Sequence, residues 1–306
     1  MVDVKRQQCK LIIQSDNKHF FRKRNVVGMA FGSKIINGYN TNEYCLKVFV
    51  AKKESNSELN ANDLIPKFHK GVKTDVIQTG KLTFSVLNQK KPPIKGGISI
   101  GPSGVNITGT GGCLVKDRCG NYYVLSNNHV LSNSDEFPIG HPILCPGAFD
   151  GGKFPDDVIG HLSKKVPLID STDEVEVYNY IDCAIAKLVN PCLFSKQIAF
   201  IGGVKGVSSP KLNMRIKKVG RTTELTTGII TELDALIEII TKTGANRLFD
   251  NQIVSTCMND SGDSGSLVLD ECNNVIGLLY AKGDSVTMIN PIKDVLKALD
   301  VSIVMS

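Results

Sequence analysis

From residue 98 onward the chain is a series of short apolar runs cut by glycines and polar turns, at 98–100, 112–115, 122–126, 157–162 and 181–188. A second series follows at 212–219, 225–232, 236–240, 253–257, 266–269, 275–280 and 285–289. Short runs at such spacing predict an all-β domain, in which closing a sheet on itself removes exposed edges. Two comparable blocks predict two barrels, about 98–190 and about 211–290, joined through 191–210. After Asn290-Pro291, the apolar residues Ile292, Val295, Leu296 and Leu299 recur at helical spacing behind a proline suited to a first turn. A short closing helix is therefore expected over 291–299.

The first 95 residues are patterned differently. Residues 1–24 predict one helix, followed by strands at 25–32, with apolar Val26, Val27, Met29 and Phe31, at 44–50 and at 72–78. Asn37-Gly38-Tyr39-Asn40 has the residues of a turn. The expectation is a small α/β domain over 1–95 ahead of a mainly β domain over 96–306. Lys90-Lys91-Pro92-Pro93-Ile94-Lys95-Gly96-Gly97, with its prolines, glycines and lysines, is the linker candidate between them.

Composition narrows the function classes. A chain that is 42% hydrophobic and 22% charged can bury an ordinary globular core. It has no tryptophan and only 6% aromatic residues, which argues against a stacking surface for single-stranded nucleic acid. No apolar run approaches the ~18–20 residues of a membrane span, and Leu11-Ile12-Ile13 is too short for the core of a secretory signal. The net charge is +6, and Lys5, Arg6, Lys10, Lys18, Arg22, Lys23 and Arg24 place most of the excess in the first 24 residues. A solvated basic arm is the expectation; docking on an acidic partner, nucleic acid or anionic lipid is the alternative. Self-association through the N-terminal domain is a further expectation. Nine cysteines stand at 9, 45, 113, 119, 145, 183, 192, 257 and 272, none in a C-x₂-C pair. Their odd number and scatter predict free thiols, a cytoplasmic location, and no metal or cofactor.

The chemistry concentrates near the C-terminus. Asp260-Ser261-Gly262-Asp263-Ser264-Gly265-Ser266 runs straight into Leu267-Val268-Leu269, which places a serine on a glycine-flanked turn before a strand. Gly262 allows a turn in which its own N–H and that of Ser264 aim at one spot, as a developing oxyanion requires. Upstream, His129 follows the apolar Tyr122-Tyr123-Val124-Leu125 and the polar Ser126-Asn127-Asn128. Asp182 opens the apolar Cys183-Ala184-Ile185-Ala186, where a carboxylate is costly unless an imidazole N–H pairs with it. A lone histidine at a strand end is ordinarily structural, and Asp170, Asp173, Glu174 and Glu176 form a competing acidic loop. The order His, Asp, Ser is what lifts these three residues above that background. His19, His69, His141 and His161 lack such a context.

These strings, with Gly111-Gly112-Cys113-Leu114-Val115 and Val219-Gly220-Arg221-Thr222-Thr223-Glu224-Leu225-Thr226-Thr227-Gly228, resemble the trypsin-like serine peptidases of the chymotrypsin fold. With its extra N-terminal domain, the chain is similar to a bacterial group related to the plant Narrow Leaf type. The resemblance implies a serine endopeptidase with protein or peptide substrates. Ser264 would be the nucleophile, His129 the general base, and Asp182 the group that orients and stabilises the imidazole. Gly262 and Ser264 would supply the oxyanion N–H groups. The resemblance also places Lys218 where lytic-type enzymes carry a basic partner for Asp263, so a Lys218–Asp263 pair would support the oxyanion loop without proteolytic activation. Secreted relatives carry a disulfide whose positions here are Lys217 and Thr227, and Val130 replaces another cysteine. By the same alignment Met258, Asn259, Tyr280 and Lys282 would border the substrate pocket; Met258 favours a neutral, apolar residue there and Lys282 an acidic one. The alternative function is a catalytically silent or gated scaffold or sensor that binds a protein partner.

Overall fold

A helix, Val2–Phe21, opens the first of two units, Met1–Ser85 and Val86–Ser306, in the computed structural model, which describes residues 2–36, 39–55, 57–80, 87, 92–172, 174–241 and 244–306. In the first unit Cys9, Ile12 and Phe20 of the helix pack with Leu46, Val48 and Val72 of a four-stranded sheet. The strands are Val26–Ile36, Tyr39–Val50, Val72–Gln78 and Phe68–His69, in that spatial order, with the middle pair parallel. The helix stops before the expected 24, and Asn25 takes a left-handed φ of 64° that turns the chain into the sheet. Tyr39 and Asn40 belong to a strand rather than a turn; Asn37 and Gly38 lie outside the described residues. Lys5, Arg6, Lys10 and Lys18 are exposed, whereas Lys23 donates to the Asn62 and Leu64 carbonyls at 2.6 and 3.1 Å.

The linker candidate needs correction. Ile94–Gly96 is a strand, parallel to Phe194–Ile198, and Ile94 is fully buried. One apolar residue suffices here because the partner strand supplies the hydrogen bonds. Lys90 and Lys91 lie outside the described residues.

The second unit contains two closed six-stranded rings. The first runs through Ile98–Pro102, a bent strand made of Gly109–Gly111 and Cys113–Lys116, then Tyr122–Ser126, Ala184–Leu188, Val158–Lys165, Pro142–Leu144 and back. The bend is at Gly112, where a Cβ would sit 2.7 Å from the Gly265 carbonyl oxygen, so only glycine fits. The second ring runs through Arg215–Gly220, Glu224–Ile240, Asn246–Thr256, Val286–Pro291, Asn274–Lys282, Leu267–Asp270 and back. The two strands expected at 225–232 and 236–240 are one strand of 17 residues. It absorbs the polar interruption through register shifts between Glu232 and Ala235 and a φ of 54° at Asp234. Lys217 and Thr227 are direct cross-strand neighbours.

One apolar core joins the barrels. Val115, Leu125 and Ile185 from the first meet Val219, Leu267 and Leu278 from the second, and Val295 and Leu299 of the closing helix Ile292–Leu299. The chain then adds a strand, Ser302–Ile303, to Cys113–Lys116 of the first barrel. All nine cysteines are free. Among the described residues no helix is long and apolar enough to cross a membrane.

Candidate active site

His129 lies in a one-turn helix, Asn128–Leu131, directly after the strand Tyr122–Ser126. Asp182 lies just ahead of the strand Ala184–Leu188, which pairs with Tyr122–Ser126. Their neighbouring strand ends deliver the two side chains to the same point. The Asp182 carboxylate is 3% exposed, and its Oδ1 accepts the N–H groups of Asn128 (2.7 Å) and His129 (3.2 Å). Its Oδ2 bonds the Nδ1 of His129. The backbone is pinned as well: Asn127 Nδ2 donates to the Asp182 carbonyl at 2.7 Å, and the Asp182 N–H donates to Asn290 Oδ1 from the second barrel. Among the described residues no lysine or arginine pairs with Asp182.

Ser264 stands on a turn with left-handed glycines on both sides, Gly262 at φ 98° and Gly265 at φ 94°. Four consecutive carbonyls of the turn accept hydrogen bonds from within the protein. Thr222 Oγ1 donates to Ser261 (2.7 Å), Thr110 Oγ1 to Gly262 (2.9 Å), Ser266 Oγ to Asp263 (2.6 Å), and the Thr110 N–H to Ser264 (2.8 Å). The N–H groups of Gly262 and Ser264 donate to no protein acceptor among the described residues. Ser264 Oγ donates to the Tyr280 carbonyl at 3.2 Å, and no hydrogen bond joins it to His129.

Beneath this turn Asp263 is completely buried. Its Oδ2 accepts Lys218 Nζ (3.1 Å), Thr223 Oγ1 (2.5 Å) and the Asp260 N–H (2.9 Å), and its Oδ1 accepts the N–H groups of Thr222 (2.8 Å) and Thr223 (3.1 Å). Lys218 is also completely buried, and its Nζ donates to Thr223 Oγ1 and to the Glu224 carbonyl (3.2 Å). Burial pushes the Lys218 ammonium below the ordinary lysine range, and Asp263 opposes that shift.

His129, Asp182, Gly262, Ser264 and Tyr280 line one open cleft of about 800 Å³. Of the four residues expected at the substrate pocket, only Tyr280 reaches it. Met258 is taken up by the core of the second barrel, 4% exposed, next to Val268 and Ile289. Asn259 is occupied by the Thr287 hydroxyl (2.5 Å) and the Ala281 carbonyl (3.5 Å). Lys282 is not among the residues lining this cleft; it lies at the surface, where it pairs with Asp260 Oδ1 at 2.6 Å. Tyr280 packs on Phe249 with ring centroids 4.9 Å apart. Among the described residues its buried hydroxyl has no hydrogen-bond partner, and burial together with Asp182 raises its pKa.

Several cleft residues escaped the sequence reading. Ile239 and Ile240 come from the long hairpin of the second barrel, and Leu168 from the loop before Asp170, which pairs with Arg247 at 2.5 Å; Asp173 lies outside the described residues. Arg221 was legible only as part of the Gly-Arg-Thr-Thr string. Its guanidinium grips Asp150 of the first barrel, with Nε donating to Oδ2 at 2.7 Å and Nη2 to Oδ1. Burial raises the Asp150 pKa, but Arg221 and Ser99 outweigh it and hold the carboxyl below the usual range. Of the remaining histidines, His69 pairs with Asp16 at 2.7 Å and His141 stacks on Phe137 at 3.9 Å.

No protein-family model matches the chain, and no curated protein does. Among solved structures, Protease A of Thermobifida fusca is similar at 15% identity and a TM-score of 0.51, over 70% of this chain and 99% of that one. An alpha-lytic protease homologue is similar at 15% identity and a TM-score of 0.50, over 69% of this chain and 98% of that one. The double barrel is therefore the chymotrypsin fold.

Proposed function

We propose that this protein is a serine endopeptidase that cleaves peptide bonds through an acyl-enzyme on Ser264. The observation that carries the reading is the Asp182–His129 contact at the rim of the cleft that holds Ser264. With Nδ1 committed to the carboxylate, the lone pair for proton abstraction is on Nε2, the opposite side of the ring. His129 takes the Ser264 proton as Oγ attacks the carbonyl carbon, then returns it to the leaving amine. Asp182 holds the tautomer and stabilises the imidazolium. The unpaired N–H groups of Gly262 and Ser264 receive the oxyanion; one such donor is typically worth ~3–4 kcal/mol of transition-state stabilisation. Before attack the Ser264 hydroxyl must leave the Tyr280 carbonyl for His129, a side-chain rotation.

That resting bond to Tyr280 favours a second reading, in which the fold is a silent or gated scaffold. Labelling with a fluorophosphonate probe decides between them. The peptidase predicts labelling of the wild type, lost in Ser264→Ala. A folded wild type that stays unlabelled supports the scaffold instead. Candidate substrates are proteins or peptides whose side chains suit a cleft walled by Tyr280, Phe249, Ile239 and Ile240.

A further inference from the structure

We propose that Arg221, anchored on Asp150 across the barrel interface, is a positioning residue that keeps the oxyanion site open by holding the Ser261–Gly262 peptide in one orientation. The inference rests on the serine peptidase reading above and names a residue pair that reading does not use.

The C=O of Ser261 and the N–H of Gly262 belong to one trans unit and point in opposite directions. Whatever holds the carbonyl away from the cleft therefore aims the N–H into it. A glycine at φ 98° has no Cβ to restrict a flip of this unit, so hydrogen bonds must set its orientation. A flipped unit would put a carbonyl oxygen where the oxyanion belongs.

The restraint on that carbonyl is the Thr222 hydroxyl, at 2.7 Å. A hydroxyl has a single proton and rotates freely, so it is a reliable donor only when something else occupies its lone pair. Arg221 Nη1 does so, donating to Thr222 Oγ1 at 3.1 Å. The same residue acts a second time through its backbone. Its N–H donates to Thr110 Oγ1 at 3.0 Å, and that hydroxyl donates to the Gly262 carbonyl at 2.9 Å. Each chain of donors polarises the next bond in the series. Thus two consecutive carbonyls of the turn are fixed by threonines that Arg221 orients.

Arg221 is itself held rigidly. The two-pronged grip on Asp150 suits the fixed fork of a guanidinium and a carboxylate. Ser99 Oγ donates to the same carboxylate at 2.6 Å, and the Phe149 ring lies 5.1 Å from the guanidinium carbon. Asp150 and Ser99 belong to the first barrel, Arg221 and the oxyanion turn to the second. Register between the barrels, which the His129–Ser264 approach requires, is thereby also what keeps the oxyanion turn formed.

The test uses the full chain and a fluorophosphonate probe, whose adduct places an oxygen in the oxyanion site. The limiting inactivation rate and the half-saturating probe concentration are measured separately, with thermal melting as the check on folding. Arg221→Ala and Asp150→Asn are each expected to lower the limiting rate about 10²-fold, as loss of one oxyanion donor does, and to shift half-saturation less than about threefold. Wild-type limiting rates in folded Arg221→Ala overturn the proposal. If Arg221→Ala does not fold, Thr222→Val decides, because it deletes the hydroxyl between the guanidinium and Ser261 but leaves the Asp150 pair. A comparable rate loss supports the proposal, and an unchanged rate overturns it. Failure of the wild type itself to react overturns the peptidase reading and this inference with it; normal reaction of wild type and variants alike overturns the inference alone.

Discussion

Asp182 and Asp263 are both buried carboxylates rich in hydrogen bonds, yet their partners differ in kind. Asp182 takes two backbone N–H groups and the His129 imidazole and, among the described residues, no lysine or arginine. Its charge is stabilised by dipoles but not cancelled, which in the proposed reaction would leave it available to an imidazolium that forms only during turnover. Asp263 takes a buried ammonium, a hydroxyl and three backbone N–H groups. Its charge is neutralised by the ammonium, and its hydrogen bonds tie the 260–264 turn to Lys218 and to the Thr222–Thr223 backbone. A carboxylate with a permanent partner supports structure; one partnered by a titrating group supports chemistry.

Substitutions can break this contrast, and the largest effect is expected at Asp182. Asp182→Asn keeps the shape but not the charge and disturbs the imidazole tautomer; kcat should fall by about 10⁴-fold, with melting temperature near that of the wild type. Steady-state kinetics and calorimetry check both halves. Lys218→Ala should instead damage both properties. It leaves Asp263 buried without its cation, costing about 3–5 kcal/mol of stability, and the protein that remains folded should have little activity. Chemical denaturation with activity assays tests this, and near-wild-type turnover would contradict the structural role of the pair.

The smallest effect sharpens the comparison through pH. Burial lowers the Lys218 pKa from 10.5, so the ammonium loses its proton at lower pH in the folded chain than an ordinary lysine would, and leaves the Asp263 charge uncompensated. Between that lowered value and 10.5 the unfolded chain binds more protons than the folded one. Stability attributable to this group therefore rises with pH in that window. Activity should nonetheless fall there, because Asp263 loses its cation. A pH profile of kcat/KM alongside thermal melts should separate the two, and Lys218→Arg should move the activity limb upward because a guanidinium does not deprotonate in this range.

Much of the candidate site was legible because its signals are local. His129, Asp182 and Ser264 each stand at the end of an apolar run, and their order along the chain narrows the folds that could use them. Lys218 is adjacent to its motif. The pocket was less legible, because alignment places a residue on the chain but not its side chain in space. Met258 was drawn into the barrel core, and Lys282 found Asp260, which is 22 positions away. Asp150 gave no signal at all, since its meaning comes only from Arg221, 71 positions later. Prolines and glycines around Ile94 carry the local signature of a linker, whereas a strand from residue 194 onward gives it a place in the core.

The sequence by itself determined the strand-rich pattern, the closing helix and the residue types on which the proposed acyl-transfer chemistry rests. These follow from short-range periodicity, turn chemistry and the cost of burying an unpaired carboxylate, all of which are written within a few neighbouring residues. Only the tertiary structure decided which way the Ser261–Gly262 peptide faces, which residues wall the cleft, and that Arg221 and Asp150 meet across the barrels. Those outcomes depend on ring closure and on hydrogen bonds between residues far apart in the chain, whose pairing no local pattern encodes.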